Sequence, residues 1–252
     1  MIDDASAQVN DAFRSLLGLR SLAQELDKLP PGNPRFDDED FLAFCYRNCH
    51  RSSAQLFQDL FVAYQLREKR NGYFVEFGAA DGVELSNTLL LERDYGWQGI
   101  VGEPARTWHE RLQRNRRCVI DTRCVWSRSG ERLTFNETPM PELSTIDAFT
   151  EGDGHAPLRA GGVRYEVSTV SLNALLAEHR APQHIDYLSI DTEGSELEIL
   201  RAFDFGRNRM SVITVEHNFA PARDEIRALL SARGYERKFV SLSQWDDWYV
   251  RA

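Results

Sequence analysis

No stretch of the 252-residue sequence approaches the ~20 consecutive apolar residues needed to cross a bilayer. The start, Met1-Ile2-Asp3-Asp4, has neither the basic segment nor the apolar core of a secretion signal, so a soluble, cytoplasmic protein is expected. Cysteine is scarce: four are too few for a disulfide scaffold at this length, and a reducing interior suits them. Cys45 and Cys49, followed by His50, are spaced like half a zinc site, but no second Cys/His pair lies nearby. They are expected to pack as small apolar residues. Positive charge is also short. With 30 Lys plus Arg against 39 Asp plus Glu, the net charge of −9 disfavours nucleic acid or an anionic membrane as partner. There is no internal repeat and no low-complexity tract. What is present, 42% hydrophobic and 27% charged residues, fits an ordinary globular protein: one sizeable α/β domain, or a core with an appendage.

Residues 5–28 carry apolar side chains at helical spacing: Val9, Phe13, Leu16, Leu17, Leu22 and Leu26. Leu29-Pro30-Pro31-Gly32-Asn33-Pro34 ends that helix. Two more helical stretches follow, Asp38 to Cys49 and Ser53 to Lys69. Residues 1–50 therefore form an N-terminal helical extension, and residues 51–252 the main domain. The apolar stripe of the first helix suits core packing or a homodimer contact. From residue 72 short β-rich runs alternate with helices, the pattern of a parallel sheet with crossovers. The runs are Tyr73–Phe77, Ile100–Glu103, Val119–Val125, Ile185–Ile190 and Ser211–Val215. The helices are Glu84–Asp94, Thr107–Arg114, Ser195–Phe203 and Ala222–Ala232. Tyr235–Leu242 and Asp247–Val250 are too close for a crossover and should pair as an antiparallel hairpin. A seven-stranded, mostly parallel sheet ending in such a hairpin is the Rossmann-like arrangement of class I methyltransferases. Residues 137–162, rich in glycine and proline, lie between two strand-like runs and read as a lid.

The first strand runs into Gly78-Ala79-Ala80-Asp81-Gly82, where two glycines bracket a small residue and let a ligand approach the backbone. Alone this is only a tight turn. Glu76 on the strand and Glu103 ending the next strand add to it, because a carboxylate there can accept both hydroxyls of a ribose. A pyrophosphate fits less well: Gly-x-Gly-x-x-Gly is missing and Glu76 would repel it. S-adenosylmethionine, with a ribose, an adenine and a sulfonium that carboxylates attract, suits these residues better.

The run Phe74-Val75-Glu76-Phe77-Gly78-Ala79-Ala80-Asp81-Gly82, then Leu85-Ser86-Asn87-Thr88, then Gly96-Trp97-Gln98-Gly99 and Val101-Gly102-Glu103-Pro104, resembles the FkbM-type methyltransferases. Ile185-Asp186-Tyr187-Leu188-Ser189-Ile190-Asp191-Thr192-Glu193-Gly194, Glu196, Glu216-His217-Asn218 and Asp246-Asp247-Trp248-Tyr249-Val250 continue the resemblance. Gln58-Asp59 resembles the lead-in, and the match spans roughly residues 53–252. The resemblance implies transfer of a methyl group from S-adenosylmethionine, most often to a hydroxyl of a sugar, glycan or secondary metabolite. It also implies a cofactor site. Glu76, Gly78 and Ala80 would line the methionine and ribose side, with Gly82 in the same loop. Asp81, Ser86, Asn87 and Thr88 would hold the amino-acid portion. Glu103, with Pro104 beside it, would grip the ribose diol. Cys124, Val125 and Trp126 would flank the adenine. The family often has Asn where Ala80 stands.

Methylating an alcohol requires its proton to be taken or neutralised, by a base or by a divalent metal. Ligands of open α/β sheets sit at the carboxyl ends of the strands, where Asp191, Glu216 and His217 fall. By analogy with catechol-type enzymes, Asp191, Glu216 and His217 or Asn218 would hold a divalent metal such as magnesium. Without a metal, Asp191 or His217 would be the base, with Glu193 facing the same crevice; alternatively Glu216 and His217 only orient the strand end. Glu193 and Glu196 also suit a helix N-terminus. His155 and His184 are weaker candidates. Residues 105–132 hold eight arginines against three acids, read as a solvated face, with a phosphate patch as the bolder option. Trp245 and Trp248 suit either a sugar platform or hairpin packing. Two other classes compete with a methyltransferase acting on a small-molecule or glycan hydroxyl. A nucleotide-sugar oxidoreductase would show Gly-x-Gly-x-x-Gly and Tyr-x-x-x-Lys, and a non-catalytic cofactor-binding module would need nothing at Asp191 or Glu216.

Overall fold

The computed structural model describes residues 35–152 and 154–252. The helix expected over 5–28 and its proline-rich stop lie outside the described residues. The chain separates after Cys49 into two units. In the first, α1 (Arg35–Asn48) has Asp37 and Asp38 in its first turn and Arg47 in its last, charges matched to the two ends of the helix dipole. Cys45 is buried, but Cys49 is exposed, so only one of the two packs as an apolar residue.

The second unit opens with α2 (Gln58–Gln65), shorter than the expected Ser53–Lys69. The preceding residues are folded onto the Asp59 carboxylate, which accepts from Ser52 Oγ at 2.6 Å and from the Ser53 amide at 3.3 Å. Then follow β1 (Tyr73–Phe77), α3 (Leu89–Tyr95), β2 (Gln98–Gly102), α4 (His109–Asn115), β3 (Val119–Asp121), β4 (Cys124–Trp126) and β5 (Arg132–Glu137). The remainder is β6 (Thr145–Ile146), β7 (Val163–Ser171), α5 (Leu172–Glu178), β8 (His184–Ile190), α6 (Glu196–Ala202), β9 (Arg209–Glu216), α7 (Ala222–Ser231), β10 (Tyr235–Lys238) and β11 (Asp246–Arg251).

Seven strands form one mixed sheet in the order β10-β11-β9-β8-β1-β2-β3. The five from β9 to β3 are parallel, and β11 runs antiparallel to both β9 and β10. Its core joins Val75, Ile100, Leu188 and Ile213 on the strands to Leu175, Leu200 and Leu230 on α5, α6 and α7. Each such side chain contributes roughly 1.5–3 kcal/mol on burial. The order reverses between β1, which continues to β2, and β8, so a crevice opens at the carboxyl ends of those two strands.

The expected strand Val119–Val125 is two strands in two sheets. The Asp121 carboxylate accepts from the Arg123 amide at 3.0 Å, and this bend sends β4 away from β3. β4 joins a second, four-stranded sheet ordered β4-β7-β5-β6; β5 and β7 are the two strand-like runs that flank 137–162, but their separation into a sheet of their own was not expected. Nor is 137–162 one irregular lid: it contains β6 and short 3₁₀ turns at Pro141–Leu143, Asp147–Phe149 and Ala156–Arg159.

Candidate active site

The glycine loop is shaped by what it cannot accommodate. Gly78 has φ +80°, and a Cβ there would lie 1.9 Å from the Asp191 carbonyl oxygen, so β1 and β8 leave their ends in near contact. Glu76 lies under the loop rather than at its open side. Its buried carboxylate accepts from the Asn87 amide at 2.6 Å, from the hydroxyls of Ser86 and Thr88, and from Arg116 at 3.3 Å. Glu76, Ser86 and Thr88 therefore brace the loop from beneath, a correction to their expected place against the cofactor. The same bonds hold residues 86–88 out of helical geometry, so α3 starts at Leu89 rather than Glu84. Asp81 is likewise spent on the amides of Val83 and Glu84 and on Arg111. Gly82, φ +78°, backs onto Leu112 and Arg116.

Above this loop a cleft of about 890 Å³, open to solvent, is lined by Gly78, Ala80, Asn87, Glu103, Pro104, Cys124, Val125, Asp191 and Glu193, all named from sequence. Phe135, Ser144 and Ile146 of the second sheet and its connections line it as well. Trp126 does not; it packs against Phe149 with ring centroids 6.0 Å apart. Glu103 is held by two backbone amides, Ala80 to Oε2 at 2.9 Å and Ala105 to Oε1 at 2.8 Å. Each oxygen keeps a lone pair for a further donor. Burial, with Asp191 and Glu137 nearby, pushes its carboxyl up to about 8.

Carboxylate oxygens of Asp191, Glu193 and Glu216 lie within 4.8 Å of one another. Burial raises Asp191 to about 6, and burial plus the neighbouring acids raises Glu216 further. Arg159, wholly buried, pairs with Glu193, and Asn218 Nδ2 donates to Glu216 at 2.9 Å. Glu196 caps the turn instead, accepting from the Thr192 and Gly194 amides. His217 is a correction to both the catalytic and the metal sets. Successive residues of a strand point to opposite faces, and His217 turns away from Glu216: its Nδ1 accepts from the Phe219 amide and its Nε2 stands 3.6 Å from Asp247. His184 is exposed at the opposite end of β8, bonded to Ser211.

The arginine run splits up. Arg116 is buried between Glu76 and Glu92, while Arg111, Arg123 and Arg132 pair with Asp81, Asp121 and Glu166. Such mutual neutralisation leaves little for a phosphate patch. Trp248 is buried and stacked on Phe61 at 4.8 Å, so hairpin packing accounts for it. Arg159 and Asn218 are the site residues sequence reasoning missed or left secondary. A lone arginine in a glycine-rich connection gave no signal; Asn218 was visible only as the neighbour of two acids.

The family model described as the methyltransferase FkbM domain matches residues 76–237. No curated protein sequence matches the chain. Among solved structures, the precorrin-6y C5,15-methyltransferase of Geobacter metallireducens GS-15 is similar at 14% identity, covering 71% of each chain with a TM-score of 0.39. A human methyltransferase 10 domain containing protein is similar at 12% identity, covering 88% of this chain and 97% of that one, also with a TM-score of 0.39. The sequence match takes in the glycine loop, Glu103 and the acidic cluster, more than half of the chain, and on it the protein belongs to the FkbM methyltransferase family.

Proposed function

We propose that this protein transfers a methyl group from S-adenosylmethionine to a hydroxyl oxygen of a small molecule or glycan. One observation carries the reading: a single cleft joins Glu103 after β2, with a free lone pair on each oxygen, to Asp191 and Glu193 after β8, two strands that flank β1. Glu103 would accept the ribose hydroxyls, with Cys124, Val125 and Ile146 as apolar walls for the adenine. The cofactor, when bound, supplies an electrophilic methyl on a positively charged sulfur. Asp191 would accept the proton that the acceptor hydroxyl gives up as its oxygen forms the new bond to carbon, so charge balances across the cleft. Arg159 holds the Glu193 carboxylate in an ion pair, and residues of the second sheet and its connections wall one side of the cleft.

The competing classes find less support. A dinucleotide's pyrophosphate would meet carboxylates where it needs donors. A module that only bound the cofactor would gain nothing from three crowded acids, whose burial costs stability. The partner proposed is a neutral hydroxylated molecule rather than nucleic acid or membrane, in keeping with the net charge of −9. Four free cysteines suit a cytoplasmic setting. Among the described residues no helix is long and apolar enough to cross a membrane.

Calorimetric titration with S-adenosylhomocysteine tests the cofactor assignment, with one-to-one binding expected and no binding as the result that rejects it. Incubation with radiolabelled methyl donor and a panel of hydroxylated acceptors tests the reaction. An ether product keeps its label in mild alkali, whereas a carboxylate ester releases it as methanol.

A further inference from the structure

An apolar rim borders the polar interior of the cleft, and methyl transfer itself gives it no part. Segments far apart in sequence are tied together there. The amides of His217 and Asn218 donate to the Trp245 carbonyl at 2.9 and 3.2 Å. The Trp245 indole Nε1 donates to Gln55 Oε1 at 3.3 Å, and Ala54, next to Gln55, forms a parallel bridge with Leu85. Gln55 and Leu85 line the cleft, and Gln55 and Trp245 border a recess that Asp191 and Glu216 also border. On this rim Phe219 is 69% exposed and Leu85 45%, while Trp245 is half-buried. One edge of Phe219 rests against the His217 ring, with centroids 5.4 Å apart, so its place is fixed although most of it stays uncovered.

Folding alone would favour other residues at both positions. Leu85 has φ +61° and Phe219 φ +57°, a left-handed backbone that asparagine or glycine adopts readily and a bulky apolar residue does not. Their exposure recovers little of the burial energy that would offset this strain. Strained residues of this kind gather where a ligand binds. The charges of the cleft narrow the ligand further. Its ionisable lining is Glu84, Glu103, Glu142, Asp191 and Glu193 against Arg123 alone, and Arg123 is already paired with Asp121 and Glu178. No lining cation is left for a phosphate or carboxylate. We propose that the methyl acceptor is an uncharged amphiphile, whose hydroxyl enters toward Asp191 while an apolar body lies on the rim formed by Leu85, Trp245 and Phe219. This rests on the methyl-transfer reading and narrows its substrate class. A free sugar would leave the rim bare, and a phosphorylated or nucleotide-linked one would bring its negative charge among acids.

The test is calorimetric titration of the full chain, saturated with S-adenosylhomocysteine, with three probes: octyl β-D-glucopyranoside below its micelle concentration, methyl β-D-glucopyranoside, and octyl phosphate. The octyl glucoside should bind roughly tenfold or more tightly than the methyl glucoside, through the apolar area it covers. Octyl phosphate, with the same tail and a charged head, should bind more weakly than the octyl glucoside. Leu85→Asn and Phe219→Asn should each weaken octyl glucoside binding roughly three- to tenfold. Neither should lower the melting temperature, because asparagine suits both backbones. Val163→Thr, at an exposed apolar residue of the second sheet, should leave binding unchanged. Equal affinity for the two glucosides overturns the proposal, as does octyl phosphate binding the more tightly of the two octyl probes. So does octyl glucoside binding that neither rim variant weakens, whatever happens to their melting temperatures. Affinity for S-adenosylhomocysteine, measured on the same samples, keeps the two readings apart. Cofactor binding without a preference for the octyl chain rejects the amphiphile alone, whereas absent cofactor binding rejects methyl transfer and the amphiphile with it.

Discussion

Arg159 reaches the carboxylate of Glu193 with its own side chain wholly buried, tying the 3₁₀ turn before β7 to the turn after β8. The same guanidinium donates to the Leu143 carbonyl at 2.9 Å, so one residue fastens both halves of the cover over the cleft. Arg159→Met should destabilise the protein by about 3–5 kcal/mol, because it leaves a buried carboxylate without its cation. Glu193→Gln added to it should recover a good part of that loss. Urea melts of the single and double variants measure the coupling; strictly additive effects would mean that the pair does not act as a unit.

Glu103 connects cofactor affinity to pH. Its carboxyl lies at about 8 in the ligand-free protein, and ribose hydroxyls that donate to it favour the charged form. Below pH 8 binding must therefore release a proton. Affinity for S-adenosylhomocysteine should fall about tenfold per pH unit as pH drops below 8, and level off above it. Glu103→Gln should flatten this dependence, and Glu103→Ala should weaken binding by roughly 10–100-fold. Calorimetry in buffers of different ionisation enthalpy counts the proton directly. A pH-independent affinity would remove Glu103 from the ribose.

Stability should follow the buried acids. Asp59 rises to about 6 and Glu103 to about 8, both through burial. Each is therefore more protonated in the folded than in the unfolded chain between its two values. The stability they contribute is complete below about pH 4 and is lost as pH rises through 6 and 8. Asp247 has the opposite sign: burial works against it, but the guanidinium groups of Arg223 and Arg237 that donate to it lower its carboxyl, and its contribution is lost in strong acid. The ligand-free protein should melt roughly 5 °C or more lower at pH 8.5 than at pH 5. Asp59→Asn should remove the part of the slope near pH 6.

The elements that periodicity reveals were readable because each is regular over several residues, as β1, β8 and β9 are. Glu103 and Asp191 were readable because strand ends are where such sheets place ligands. What escaped depended on contacts distant in sequence. Val119 to Val125 alternates like one strand, and only the Asp121 side chain bonding back to Arg123 divides it between two sheets. Arg116 sits in a run of arginines that looks solvated, yet it is buried because Glu76 and Glu92 meet there from two other elements. Ser86 and Thr88 looked like ligand contacts because nothing local indicated that Glu76, ten or more residues earlier, would claim their hydroxyls.

Two glycines with nearly the same backbone should respond very differently. Gly78 and Gly130 have φ of +80° and +81°. A Cβ on Gly130 would meet nothing within 4 Å, whereas one on Gly78 would collide with the Asp191 carbonyl. Gly130→Ala should cost only the backbone strain of a left-handed residue, about 1–2 kcal/mol. Gly78→Ala should cost more and also abolish binding of S-adenosylhomocysteine, because β1 and β8 can no longer approach. Equal losses of stability in the two variants, with cofactor binding retained in both, would show that this close approach is unimportant.

Asp191 separates chemistry from cofactor affinity. Asp191→Asn keeps the size of the side chain but removes its charge and its ability to take a proton. If Asp191 accepts the hydroxyl proton, kcat should fall by roughly 10²–10⁴-fold. S-Adenosylhomocysteine has no charge on sulfur, so its affinity should hardly change, whereas the positively charged S-adenosylmethionine should bind more weakly through the lost attraction. Comparing the two ligands by calorimetry alongside single-turnover rates distinguishes the roles. A collapse in affinity for both would place Asp191 in the cofactor site, and retained turnover would move the proton acceptor to Glu193 or Glu216.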